Sequence, residues 1–314
     1  MRRRDIGILL PLLLAAACGL KPELPEQIAN VEVVGDESYE ITYRWLIDGA
    51  TDMLVHRGTS IFYVIQHAES LSIYPTYKRE DLVTPSHKNL FNGLVEPRLL
   101  AAGTDLDHRL WVFDAGDGAL KGYDGGEFLE PLDVEISHVD PAWQAVAAIA
   151  ADDAGRVFVA DRAANKIYRY LVEGSPGALS LAADGEVTWT SQLTGATVRD
   201  LDFAAGKLVL LDDGLGTVQL LDPAGVASPI FEYLSGVLAD PVALAADAEN
   251  LFVLDMGDTS LWEIDADLDP TSALRVNTDD REILRQPTAM ALNQGKVYVA
   301  DPELGKVIDY EKRQ

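Results

Sequence analysis

Residues 157–161 have the sequence VFVAD, an apolar run that ends on an aspartate, and close variants of it recur along the chain. The other copies are LWVFD ending at Asp114, LVLLD ending at Asp212, LFVLD ending at Asp255 and VYVAD ending at Asp301; a sixth, FYVIQ, ends at Gln66. We call these six final residues the anchor positions. They follow one another at intervals of 43 to 51 residues, a period typical of repeat architectures.

Each repeat predicts four strands. The run before the anchor is apolar on both faces, as in a middle strand that is buried on both sides. Turn-forming residues follow it and lead into another strand, and a more variable fourth strand lies downstream, for example Glu186–Thr190 or Ile230–Tyr233. Upstream of each run lies a short, alanine-rich strand: Asp52–His56, Pro97–Ala102, Ala145–Ala151, Val198–Phe203, Pro241–Ala246 and Pro287–Leu292.

Four strands per repeat of about 47 residues are typical of a propeller blade. The sequence therefore predicts an all-β fold, a six-bladed β-propeller with four-stranded antiparallel blades. The last repeat stops after its third strand, while the strand-like segment Tyr39–Ile47 precedes the first repeat. We expect this N-terminal strand to complete the last blade and close the ring, which removes an exposed sheet edge.

Residues 152–170, DDAGRVFVADRAANKIYRY, resemble an NHL repeat, and residues 241–265 and 287–310 are nearly as similar to one. The resemblance covers roughly residues 48–314. It implies a propeller, but it says little about activity, because function depends on sites that vary on a common fold.

The N-terminus resembles a bacterial lipoprotein signal peptide. Basic residues precede an apolar run that is too short to span a bilayer, and Ala15-Ala16-Ala17-Cys18 is similar to a lipobox. The resemblance implies a signal peptide over 1–17, a lipidated tether over 18–30 starting at Cys18, and the propeller over 31–314. Gly19 implies outer-membrane sorting, with the domain facing the periplasm or the cell surface. The alternative is an ordinary secretory signal with a chance cysteine.

Charge and cysteine content exclude several classes of protein. The chain carries 51 acidic and 25 basic residues, a formal net charge of −26. This balance argues against nucleic-acid binding, which needs clustered Lys and Arg, and favours a partner with a basic patch. A single cysteine excludes a disulfide framework and a multi-cysteine zinc site.

We identify a candidate binding rim formed by the anchor aspartates together with His67 and Trp143. Equivalent positions in successive blades lie at a similar radius, so the carboxylates could form a ring that attracts cations. Alternatively, each carboxylate bonds backbone amides of its own turn. The rim residues are Asp114, Asp161, Asp212, Asp255, Asp301, His67 and Trp143.

No residue matches a catalytic motif. NHL-like peptide-amidating lyases hold a metal through histidines and streptogramin lyases use a catalytic histidine, but His56, His67, His87, His108 and His138 match neither pattern. Asp265, Asp267 and Asp269 alternate as in a calcium loop that lacks its glycine and final glutamate. The six-bladed lactonases hold a central metal, a role for which Asp200, Asp202 or Asp247 are candidates. We therefore expect no cofactor, with calcium or another divalent metal as the alternative.

These features favour a lipid-anchored envelope propeller that acts as a non-catalytic binding or scaffold module for a protein, peptide or glycan. The alternative is a metal-dependent lyase or lactonase with its site at the central channel. A third hypothesis is an assembly factor of the outer envelope.

Overall fold

The computed structural model describes residues 39–56, 61–74, 87–88, 91–103, 109–124, 132–175, 177–187, 197–224, 231–233, 238–246, 250–257, 260–265, 270–275, 284–293 and 295–312. They all belong to one compact unit, Glu32–Gln314. Within these ranges the chain forms strands and turns, and no helix there is long and apolar enough to cross a membrane.

The strands form six four-stranded antiparallel sheets within the described residues. Sheet 1 contains β2 (Ala50–His56), β3 (Ile61–Gln66), β4 (Ser70–Tyr74) and β5 (His87–Lys88). Sheet 2 contains β6 (Pro97–Ala102), β7 (Leu110–Asp114), β8 (Ala119–Tyr123) and β9 (Ile136–His138). Sheet 3 contains β10 (Val146–Ala151), β11 (Arg156–Asp161), β12 (Lys166–Ser175) and β13 (Ala178–Val187).

The remaining strands repeat this pattern. Sheet 4 contains β14 (Val198–Ala204), β15 (Lys207–Asp212), β16 (Thr217–Leu221) and β17 (Phe231–Tyr233). Sheet 5 contains β18 (Pro241–Ala246), β19 (Asn250–Asp255), β20 (Ser260–Asp265) and β21 (Pro270–Arg275). Sheet 6 contains β22 (Ala289–Asn293), β23 (Lys296–Asp301), β24 (Lys306–Lys312) and, paired with β24, the N-terminal strand β1 (Tyr39–Leu46).

The first strands of the sheets surround a common axis. Each contacts the first strand of the sheet before and after it, in the order β2, β6, β10, β14, β18, β22, and β22 contacts β2. This radial arrangement of antiparallel sheets is that of a β-propeller. All-β structure and four-stranded antiparallel sheets are thereby confirmed.

The core lies between neighbouring sheets. Tyr63 and Ile65 of sheet 1, for example, pack with Leu110 and Val112 of sheet 2, and equivalent clusters join sheets 2 and 3, 3 and 4, 5 and 6, and 6 and 1. The second strand of each sheet is paired along both edges with strands of its own sheet. It is buried on both faces because a neighbouring sheet packs against each of them. This is the environment that the unbroken apolar runs predict.

Some strand boundaries differ from the expected ones. The fourth strand of sheet 3 begins earlier than the predicted Glu186–Thr190, because β13 spans Ala178–Val187 and pairs with β12 in a longer hairpin than the other described ones, while residues 188–190 lie outside the described residues. The alternating polar residues of this hairpin lack the apolar signal by which the other strands are recognised. Prediction also missed a shared irregularity: the first strands of sheets 1 to 5 each carry a bulge near their start, for example between Ala50 and Asp52.

Candidate functional site

The anchor aspartates fix the loops at one end of the sheets. Each is fully buried and accepts hydrogen bonds from the loop before its sheet's first strand and from the turn after its second strand. In sheet 3 the Asp161 carboxylate accepts the amides of Gln144, Ala145 and Ala164. The corresponding donors are Val95, Glu96 and Gly116 to Asp114; Thr197 and Leu215 to Asp212; Ala239, Asp240 and Gly257 to Asp255; and Arg285, Gln286 and Leu304 to Asp301.

We call the end of the sheets that carries these loops the loop face. The anchor carboxylates at this face point at backbone amides, which is the second of the two arrangements that the sequence allows. The amide bonds, with the bond from Ala164 foremost, hold the pKa of Asp161 below its usual range even though burial opposes ionisation. The Asp161 carboxylate therefore stays charged, and it ties the loop before the first strand of sheet 3 to the turn after the second strand.

Sheet 1 departs from this pattern at its anchor. Gln66 Nε2 donates to the Asp48 carbonyl at 3.0 Å, and His67 next to it lies on the surface with its side chain 54% exposed. His67 Nε2 is 3.4 Å from Asp48 Oδ2, and such an exposed pair contributes little to stability. A side chain at Gly49 would collide with the His67 ring, which explains the glycine at this turn.

Trp143 is the centre of a polar and aromatic cluster between sheets 2 and 3. Its Nε1 donates to Tyr170 Oη at 2.9 Å, and Tyr170 Oη in turn donates to Asp140 Oδ2 at 2.7 Å. The His138 ring packs against Trp143 and Tyr170, and burial lowers the pKa of His138 against the opposing effect of Asp140. Trp143 is thus half-buried and held in one orientation.

A cavity of about 410 Å³ lies on the axis and is lined by the first strands of all six sheets. Many of the residues around it have apolar side chains, among them Leu54, Leu99, Ala148 and Met290, but the surface that faces the cavity is mostly polar. This volume falls in the range of small-molecule sites. The alanine-rich composition of the first strands fits their position, because small side chains leave this space at the axis.

Three carboxyl groups line this cavity. Asp52 and Asp200 occupy the same place after the bulge in sheets 1 and 4. Asp52 accepts the amides of Met53 and of Leu100 in sheet 2, and Asp200 accepts those of Leu201 and of Leu244 in sheet 5. Asp202 repeats the pattern with Phe203 and Ala246. Each carboxyl group therefore ties its own strand to the first strand of the following sheet.

Burial raises the pKa of two of these carboxyl groups. It raises the pKa of Asp52 to about 8, with a further contribution from the negative charge of Asp200. Burial likewise raises the pKa of Asp200 to about 7, although the amide bonds from Leu244 and Leu201 oppose the shift. Both groups can therefore exchange a proton near neutral pH.

Two arginines complete the polar lining of the cavity. Arg199 Nε donates to the Val242 carbonyl at 3.1 Å, and its charge favours ionisation of the neighbouring Asp200. Arg162 Nη2 contacts both oxygens of Asp213, at 2.7 and 3.0 Å. The second pair joins sheets 3 and 4 at the loop face.

The candidate metal ligands that lie in the described part of the chain do not form a cluster. Among the described residues no group of three His, Cys, Asp or Glu side chains could hold a metal ion. His56 is buried at the end of β2, His67 lies on the loop face, and His138 packs in the Trp143 cluster. Several candidates lie outside the described residues: Cys18, His108, Asp247, Asp267 and Asp269, together with the side chains of His87 and Asp265.

Comparison with known proteins supports the fold. No protein-family model matches the chain, and no curated protein matches it. The fold is a β-propeller. One solved structure similar to it is a catalytically inactive variant of virginiamycin B lyase from Staphylococcus aureus with quinupristin, with a TM-score of 0.55, 12% identity, and coverage of 87% of this chain and 88% of that chain.

Two other propeller-like neighbours are equally distant in sequence. A Bacteroides thetaiotaomicron protein of unknown function has a TM-score of 0.58 and 12% identity, over 87% of this chain and 70% of that one. The Cps50 (Swd1) β-propeller domain of Myceliophteria thermophila has a TM-score of 0.54 and 10% identity, over 87% and 99%. At these identities the likeness concerns the fold alone.

Sequence reasoning missed two polar features. Asp52 was not identified, although its alignment with Asp200 after the bulge is the signal that would have found it. Lys121 was also missed: it is buried, and its Nζ contacts Asp114 Oδ2 at 2.7 Å and Asp117 Oδ2 at 2.6 Å. A lysine at a position occupied by other residue types in the other repeats is the corresponding signal.

Proposed function

We propose that this chain is a lipid-anchored, six-bladed propeller of the bacterial envelope that binds a protein or peptide partner through its loop face without catalysing a reaction. The pairing of β1 with β24 supports closure of the ring by the N-terminal strand. Residues 1–17 would be the signal peptide, Cys18 the lipidated residue and 18–30 the tether. The resemblance of the repeats to NHL repeats supports the same assignment.

The observation that carries this proposal is the position of the exposed apolar side chains. The large hydrophobic side chains that are most exposed in the described part of the chain are Leu46, Val95 and Val139, which are 56%, 64% and 58% exposed. Single exposed apolar residues are common on protein surfaces. These three, however, all lie at the loop face, beside successive sheets: Leu46 at the end of β1, Val95 before β6 and Val139 after β9. We call them the apolar arc.

The surroundings of the apolar arc support a partner that carries both apolar and basic side chains. Asp48 is 82% exposed beside Leu46, and Asp117 lies in the turn next to Val95. Because Asp114 and Asp161 hold the loops of Val95 and Val139 in place, and Gln66 bonds the loop of Leu46, little conformational entropy is lost when a partner docks. The net charge of −26 steers a basic surface towards the domain.

Site-specific photo-crosslinking in the source cells tests the binding face. A photoreactive amino acid replaces Val95 or Val139, and the matched control replaces Asp222 at the opposite end of the sheets. We expect a discrete adduct from the loop-face positions, and loss of that adduct when Leu46→Asp is added. Identical adducts from both faces would refute binding through the loop face.

The lipid anchor is tested separately. Cys18→Ser should abolish incorporation of labelled palmitate and release the protein from the membrane fraction. A variant that still incorporates the label would contradict lipidation at Cys18. Localisation at the outer membrane is tested by density separation of the two membranes of the source cell.

The raised pKa values of Asp52 and Asp200 in the axial cavity favour a second candidate, an enzyme of the lyase or lactonase type. Groups that titrate near neutral pH in a cavity suit proton transfer. Metal analysis of the purified protein distinguishes the candidates: a stoichiometric divalent metal that is lost in Asp200→Asn would favour the enzyme. A metal-free, folded protein that still yields the loop-face adduct would favour the binding module.

A further inference from the structure

Sheets 2 and 4 place different side chains in equivalent positions beside their anchor aspartates. In sheet 2 Asp114 pairs with Ala119 and Val112 pairs with Lys121. In sheet 4 the same register pairs Asp212 with Thr217 and Leu210 with Gln219. Lys121 and Gln219 therefore stand at the same distance along the strand from their anchors and on the same face of the sheet as the anchors.

The Lys121 ammonium group neutralises the anchor of sheet 2. Its Nζ lies 2.7 Å from Asp114 Oδ2 and also contacts the Gly93 carbonyl at 2.5 Å. Together with the loop amides, this cation holds the pKa of Asp114 below its usual range in spite of burial. The buried carboxylate is thus both hydrogen-bonded and paired with a charge.

Sheet 4 has no such donor among the residues that the structure describes. Asp212 Oδ1 accepts the amides of Thr197 and Leu215, whereas the buried Oδ2 accepts no hydrogen bond from the described residues. The same holds for Gln219 Oε1, while Gln219 Nε2 lies 3.4 Å from Thr217 Oγ1. Asp212, Thr217 and Gln219 are all completely buried.

Two buried acceptors without donors are costly, since each has lost its hydration without compensation. Burial accordingly raises the pKa of Asp212, the opposite of the shift at Asp114. The Gln219 amide nitrogen points towards the hydroxyl group of Thr217, the residue directly paired with Asp212. Both unpaired oxygens therefore belong to side chains at one end and on one face of the sheet.

We propose that sheet 4 binds a monovalent metal ion between Asp212 Oδ2 and Gln219 Oε1, in the place that the Lys121 ammonium occupies in sheet 2. Oxygen ligands suit hard cations such as sodium and potassium. A single carboxylate balances a single positive charge, which favours a monovalent over a divalent ion. The site is structural, and it is independent of the binding function proposed for the loop face.

Thermal unfolding of the purified full-length chain tests the site. Melting temperatures are compared in sodium chloride, potassium chloride and tetramethylammonium chloride at the same ionic strength, because the organic cation is too large to enter a buried site. Binding to the folded state alone should raise the melting temperature in sodium or potassium by about 2 °C or more relative to tetramethylammonium. Equal melting temperatures in all three salts would overturn the proposal.

Reciprocal substitutions at Gln219 and Lys121 test whether the cation dependence of the melting temperature arises at this site. Gln219→Lys places an ammonium group beside Asp212, so it should abolish the preference for small cations. Lys121→Gln removes the ammonium group beside Asp114, so it should create a second site there that prefers small cations. Gln144→Lys, at an exposed position, controls for the added charge and should leave the preference unchanged.

Two results would reject the site even if one variant fails to fold. A preference for small cations that persists in Gln219→Lys would place the ion elsewhere. The absence of any preference in the wild-type chain would mean that a buried water, or the Gln219 amide in its flipped orientation, satisfies Asp212.

Discussion

Removal of a single anchor carboxylate should weaken the whole domain, and Asp161→Ala is the clearest case. The Asp161 side chain is fully buried and accepts three backbone amides, from Gln144, Ala145 and Ala164. Hydrogen bonds to a charged acceptor contribute about 1.5–3 kcal/mol each, but water can reach the exposed loop that carries Gln144 and Ala145. We therefore expect a loss of about 2–4 kcal/mol in the free energy of unfolding.

Urea unfolding at pH 7 and pH 3, followed by fluorescence, measures this loss. Because the folded-state pKa of Asp161 is lowered, its ionised form stabilises the fold above the unfolded-state pKa, and the contribution disappears as pH falls through the folded-state value. The difference between Asp161→Ala and wild type should therefore shrink at pH 3. Asp240→Ala, at an exposed position on the same face, is the matched control and should cost less than about 0.5 kcal/mol.

Two outcomes would refute the reasoning. One is an Asp161→Ala variant as stable as Asp240→Ala at pH 7, which would mean that the amide bonds contribute nothing net. The other is an equal loss at both pH values, which would indicate a packing defect instead of a lost charged acceptor.

Three further predictions concern buried charge, titration and turn geometry. Lys121→Met leaves Asp114 without its cation and should cost about 3–5 kcal/mol in urea unfolding, whereas Lys166→Met at an exposed ion pair should leave stability nearly unchanged. Because the pKa of Asp52 is raised to about 8, wild-type stability should fall as pH rises from about 4 to 8 through this group, so Asp52→Asn should gain about 4 kcal/mol relative to wild type between pH 5 and pH 9; a pH-independent difference would contradict the shift. Gly216→Ala should lower the melting temperature more than Gly118→Ala, since both have positive φ but only at Gly216 would the new Cβ fall 2.4 Å from a carbonyl oxygen, that of Leu238.

The strands that the sequence predicts best are those with one dominant environment. The second strand of each sheet, such as Arg156–Asp161, is buried on both faces, so its composition alone identifies it. The first strands were also found, because their alanines fit the crowded axis. The bounds of the outer strands were less predictable: Phe231–Tyr233 agrees with the predicted Ile230–Tyr233, whereas Ala178–Val187, which is largely exposed and has mixed residues, begins earlier than predicted.

The site was less predictable than the fold because it depends on contacts between repeats. The sequence shows that Asp161 recurs at an equivalent position, but only the structure shows that its oxygens face the amides of Gln144 and Ala145. Likewise, the pairing of Asp52 with the Leu100 amide joins residues 48 positions apart in neighbouring sheets. No local pattern encodes such a contact.

In a propeller, residues that recur in every blade and residues that occur in one blade only have different roles. An anchor aspartate in five of six repeats serves a need that every blade shares, which is to hold its own loops, and such a residue is expected to affect stability in every blade. A residue that departs from its column serves one blade only. With Gln219 in the place of Lys121, a buried oxygen of Asp212 has no donor among the described residues, and Asp52 and Asp200 bring carboxyl groups to the axial cavity. Asp52 and Asp200 each join two sheets through amide hydrogen bonds, but burial opposes their charge, and the same holds for Asp212. These columns are therefore where mutagenesis should begin.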